Sequence, residues 1–117
     1  MIMTLGACQR SYTEEAGIYE LYEMSGDLSL SDFSYYYIQL DEGGEVVVKS
    51  LGSEGEQEEY MAFGTFKISG SSIHIYTKVG FSRIKETYAY VNGEIHMVDV
   101  YLDGYDITFT AKFRRST

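Results

Sequence analysis

The chain has no proline, no tryptophan, one cysteine and two histidines among its 117 residues. A single cysteine, Cys8, excludes an intramolecular disulfide, so any fold must stand on its core. No apolar run approaches the length of a membrane-spanning helix. Basic residues are scarce as well, 9 Lys and Arg against 18 Asp and Glu, for a net charge of −9. That balance repels phosphate backbones and argues against a nucleic-acid partner. It also keeps the chain off anionic lipid unless something anchors it.

What is abundant is aromatic. There are 12 Tyr and 6 Phe, with 12 Gly to make tight turns, a composition suited to short strands. One domain of this length can bury a modest core. The clearest local signal is Asn92-Gly93 between two alternating runs. A two-residue type I′ turn needs positive φ at both central positions, and Asn-Gly supplies it. Such a turn pairs Tyr90 with Ile95, Tyr88 with Met97 and Glu86 with Asp99 on the face expected to point inward. Ala89 and His96, then Thr87 and Val98, share the other face.

The remaining strands follow from alternation. Residues 1–15 have no sustained period and read as a flexible leader before a barrel domain at 16–117. Strands are expected over 17–24, 33–40, 45–51, 60–68, 73–78 and 105–114, besides the two that flank Asn92-Gly93. The Glu-rich stretch 52–59 reads as a solvated hairpin tip, since it lacks the alternating oxygen ligands of a calcium loop. A two-residue Asp103-Gly104 turn would mix core and solvent faces. A three-residue loop with Gly104 left-handed instead pairs Met97 with Phe109 and Ile95 with Ala111. The expected fold is all-β, an eight-stranded antiparallel up-and-down barrel whose closure removes exposed edges.

Two resemblances bear on identity. Leu5-Gly6-Ala7-Cys8 resembles the lipobox of bacterial lipoproteins, although only four residues precede it. On that reading Cys8 is lipidated and the protein sits in the bacterial cell envelope or is secreted; on the other, Cys8 is a free thiol on a frayed end and the protein is cytoplasmic. Further on, Gly17-Ile18-Tyr19 and Arg114-Arg115 stand where lipocalin-like (calycin) barrels carry Gly-x-Trp and a terminal Arg. The run from Gly64 to Gly70, followed by Ile73-His74-Ile75, is similar to small bacterial lipocalin-like domains. This resemblance covers residues 16–115 and implies that Gly17, Tyr19 and Arg114 close the barrel floor. Tyr replaces Trp and the family's long helix before the last strands is missing, so it implies a fold and not a particular ligand. A streptavidin-like barrel is the alternative within the architecture, but the tryptophans of its ligand site are absent.

Catalytic chemistry finds little support. His74 and His96 fall on outward faces, no Gly-x-Ser-x-Gly occurs, and no spacing suits a metal or cofactor. The expectation is a non-enzyme. The interior is more informative, because Tyr19, Tyr36, Tyr88 and Tyr90 point inward with Phe66, Phe109 and Phe113. Buried hydroxyls need partners, which are backbone, trapped water or a polar ligand. The expected ligand-binding set is Tyr36, Glu86, Tyr88, Tyr90, Met97 and Asp99, with Glu86 and Asp99 at an open mouth. The leading function is non-catalytic binding of a small apolar or amphipathic molecule. The alternative is a filled barrel that engages a protein partner through acidic loops and the exposed Tyr22, Tyr35, Tyr37 and Tyr76.

Overall fold

Alternation of large apolar and polar side chains yields eight strands in a computed structural model that describes residues 11–54 and 58–116. They are β1 (Gly17–Gly26), β2 (Phe33–Leu40), β3 (Glu45–Gly52), β4 (Tyr60–Ser69), β5 (Ser72–Val79), β6 (Ser82–Val91), β7 (Glu94–Leu102) and β8 (Ile107–Arg115). Each strand pairs antiparallel with its neighbour in sequence, and β1 pairs with β8, which closes the barrel. The only helical element among the described residues is a short 3₁₀ turn, Leu30–Asp32. The expected all-β, up-and-down architecture is the one observed.

Tight turns set most registers. Asn92 and Gly93 adopt φ of 54° and 76°, so β6 and β7 join through the expected two-residue turn. Gly70-Ser71 and Gly80-Phe81 make two further two-residue links, the first setting Ile68 opposite Ile73 and Phe66 opposite Ile75. Gly64 answers a closer constraint. A Cβ there would lie 1.8 Å from the Tyr76 carbonyl oxygen, so β4 approaches β5 more closely than any side chain permits.

The β7–β8 turn departs from expectation. Leu102 pairs with Ile107 across a four-residue loop, and Met97 pairs with Ala111 rather than Phe109. The longer loop alone would flip every inward residue outward. One extra residue in β7 corrects this, because Val98 and Asp99 together oppose Thr110. Asp99 takes φ of 51° at that bulge, a conformation that Asp tolerates better than most residues, and its amide donates to Thr110 Oγ1 at 3.0 Å. Ile95, Met97, Phe109, Ala111 and Phe113 therefore remain buried although their partners have shifted by two. A second bulge, at Tyr22 in β1, brings Met24 inward behind Tyr19 and Leu21 by the same logic.

The floor of the barrel is solid. Tyr19, Ile38, Leu40, Val46, Phe66, Ile73, Ile95 and Phe113 are almost wholly buried. The Tyr19 hydroxyl donates to the Glu15 carbonyl at 2.6 Å and lies 2.9 Å from that of Tyr90. The expected Gly17–Tyr19–Arg114 closure is corrected in its last member. Arg115 lies over the Tyr19 ring at 5.6 Å and donates to the carbonyls of Glu14 and Ala16, whereas Arg114 stacks at 4.4 Å on Tyr22 outside the barrel. Strand parity decides the assignment, since Arg114 pairs with outward Glu94.

Residues 11–15, expected within a flexible leader, belong to this floor. Tyr12 is 6 % exposed, its ring lies 4.6 Å from that of Phe66, and its hydroxyl accepts from the Ile68 amide at 3.3 Å. The earlier residues, including Cys8, lie outside the described ones. Tyr12→Ala removes a buried aromatic from a packed site and should lower the unfolding free energy by about 3 kcal/mol. Urea unfolding followed by tyrosine fluorescence checks this; a stability equal to that of the native sequence would mean the segment does not seal the floor.

Candidate functional site

The two halves of the interior differ because β6 and β7 part company. Their register holds for three pairs only, Val91 with Glu94, Tyr90 with Ile95 and Ala89 with His96. Above Ala89, β6 stays paired to β5 as far as Ser82, while β7 turns through its bulge and follows β8. The expected pairs Tyr88–Met97 and Glu86–Asp99 do not form. The physical reason is visible in the chain: simple continuation would set two carboxylates opposite each other, and the bulge at Val98–Asp99 takes Asp99 out of line.

Between the separated strands lies a cavity of about 230 Å³. It opens at the end away from the Asn92-Gly93 turn. Tyr36 of β2, Val48 of β3, Tyr60 and Ala62 of β4, and Ile75 and Thr77 of β5 line it on one side. Glu86 and Tyr88 of β6, Met97, Val100 and Leu102 of β7, and Phe109 of β8 complete the wall. The Tyr36 ring meets Phe113 edge-on at 4.9 Å and Phe33 at 5.2 Å, which fixes it as the partition between cavity and floor. The volume falls below the roughly 300–1,000 Å³ of drug-sized sites, so it suits a small guest.

Of the six expected ligand-binding residues, the structure brings Tyr36, Glu86, Tyr88 and Met97 together here. Tyr90 is placed elsewhere. It lies beside the Asn92-Gly93 turn at the floor, where its ring meets Tyr19 at 6.3 Å. Asp99 is exposed on the bulge and does not line the cavity. Tyr60, which is not among the residues expected from the sequence, joins the site. Its parity with Ala62 and Phe66 is the signal that would have found it.

Glu86 is the one charged side chain in the wall. Among the described residues it makes no ion pair. Its neighbours Arg83 and Lys85 face outward, and both line a groove on the outer surface with Phe63, Tyr76, Lys67 and Lys78. Burial, then the nearby Glu86 carboxylate, raises the hydroxyl pKa of Tyr88 and of Tyr36 well above the ordinary 10.0. Tyr60 shifts the same way for the same two causes. These hydroxyls thus stay neutral to a higher pH than an unperturbed tyrosine.

The outer face holds the other polar groups. His74 bonds Thr87 at 2.9 Å through Nδ1, and His96 bonds Glu94 at 2.8 Å through Nε2. Glu94 also accepts from Tyr22, and these two bonds hold its carboxyl below the usual range. Tyr35, on the outer rim, donates to Glu59, which raises its pKa to about 12. Tyr22, Tyr37 and Tyr76, expected to be exposed, are half-buried, whereas Tyr35 is exposed. Among the described residues no three His, Cys, Asp or Glu side chains gather as a metal site.

Comparison with known proteins yields no match among family models, curated proteins or solved structures. The closed eight-stranded barrel is compatible with a lipocalin-like fold, and the geometry itself carries the reading of the site.

The raised pKa values have a definite sign in stability. A neutral hydroxyl favoured in the folded state contributes fully below about pH 10, the unfolded value, and the contribution is lost as pH rises through the folded value. Alkaline titration followed by phenolate absorbance should show a late-ionising component that Tyr36→Phe and Tyr88→Phe each diminish. Unchanged titration curves in both variants would place these hydroxyls in water.

Proposed function

We infer that this protein binds a small apolar or amphipathic molecule, without chemical change, in the upper half of a lipocalin-like barrel. The observation that carries the reading is the walled hollow itself. Closing an eight-stranded sheet leaves an interior that side chains just fill or that admits one small ligand. Here the floor is filled and the mouth half is not. Its wall combines apolar surface from Ile75, Met97, Val100 and Phe109 with a few convergent polar groups, the usual composition of a ligand site. The lipobox-like run at Cys8, outside the described residues, supports a place in the bacterial cell envelope.

A second reading, a protein-interaction module, draws on the outer groove. Lys67, Lys78, Arg83 and Lys85 gather there beside Phe63 and Tyr76 with a single carboxylate, Glu45, and without an ion pair among the described residues. In a chain of net charge −9 this is an uneven distribution that would suit an acidic surface.

Filling the hollow separates the two. Ala62 is 5 % exposed and faces the cavity, so Ala62→Leu occupies part of its volume. The variant should lose at least about tenfold in affinity for a fluorescent apolar probe while unfolding within about 1 kcal/mol of the native protein. Undiminished probe binding in the folded variant would put the probe on the outer surface and favour the second reading.

A further inference from the structure

We propose that the guest of this cavity carries a positive charge, and that Glu86 with Tyr36, Tyr60 and Tyr88 forms the seat for an ammonium group. The inference deepens the ligand-binding reading and rests on it. Its first support is the sign of the site, since the wall holds one carboxylate and no cation. An anionic guest would meet Glu86 with nothing to offset it. A neutral guest would have to cover a carboxylate that no basic side chain accompanies, and a covered, unpaired charge is costly.

The second support is the company Glu86 keeps. Three tyrosines converge on the carboxylate from β2, β4 and β6, with Met97 across the seam on β7. Aromatic faces and a nearby carboxylate are the chemistry that recognises primary and quaternary ammonium groups, through cation–π attraction and charge-assisted hydrogen bonds. Tyrosine hydroxyls that stay neutral can accept from an N–H donor without adding charge of their own.

The third support is the strand alternation that takes Arg83 and Lys85 away. Both face the outer groove, so the cations nearest to Glu86 in sequence cannot neutralise it from within. Position completes the picture. Glu86 is exposed at the mouth, where a charged head can stay partly hydrated, while Phe109, Ile75 and Val48 extend below to receive a short hydrocarbon tail.

Calorimetric titration at neutral pH with hexylammonium, hexanol and hexanoate tests this on the native protein and on Glu86→Gln. The tail is constant, so differences report the head. The expected order is ammonium tightest and carboxylate weakest, with hexylammonium favoured over hexanol by at least about tenfold. Glu86→Gln should abolish that preference by weakening hexylammonium, and should not weaken hexanol, which no longer has to cover a carboxylate. Equal affinity for hexylammonium and hexanol in the native protein, or a preference that survives Glu86→Gln, would overturn the cation and leave the cavity reading standing. Failure of all three to bind would overturn the cavity reading itself.

Discussion

The short seam between β6 and β7 is the constraint on which the rest of the structure depends. Three residue pairs hold those strands together at the Asn92-Gly93 end, and beyond them the barrel wall is carried by the pairs on either side. Closure of the sheet is therefore complete at the floor and relaxed at the mouth. The difference appears directly in packing. Tyr19, Phe113, Ile38 and Ile95 leave no exposure at one end, and a hollow of about 230 Å³ remains at the other.

Bulges make this arrangement compatible with a hydrophobic interior. A strand has period two, so a change in loop length by one residue exchanges core and solvent faces. The extra residues at Tyr22 and at Val98–Asp99 each absorb one such change. The second does more than correct parity. It bends β7 toward β8 at the point where β6 stops being its partner, and so places Met97 and Val100 as one wall of the cavity and Tyr88 as the other. Tyrosines occupy both ends of the interior for different reasons: at the floor the Tyr19 hydroxyl is satisfied by Tyr90 and a backbone carbonyl, and at the mouth those of Tyr36 and Tyr88 face a lone carboxylate.

Much of this was legible in the sequence, because alternation and turn residues are local. The strand order, the Asn-Gly turn and the inward placement of Tyr19, Tyr36, Phe66, Tyr88, Met97, Phe109 and Phe113 follow from side-chain period. What alternation cannot see is a bulge paired with a longer loop, since the two errors cancel in parity. Alternation thus puts Met97 on the correct face against the wrong partner, Phe109 instead of Ala111. The same bulge removed Asp99 from the site. Alternation also points Tyr90 inward, which it is, but its closeness to the Asn92-Gly93 turn puts it at the floor. Tyr12 is not legible because a single aromatic in an aperiodic segment gives no pattern, and its burial arises from contacts with Phe66 and Ile68, more than fifty residues along the chain.

Native mass spectrometry of the folded protein, set against the mass of the denatured chain, tests most directly whether the mouth half of the barrel is a binding chamber. The purified protein, or the protein after exposure to a mixed lipid and metabolite extract, should carry one small molecule per chain that is released on denaturation. A mass equal to that of the bare chain under both conditions would contradict the account and describe a barrel whose upper half holds only water.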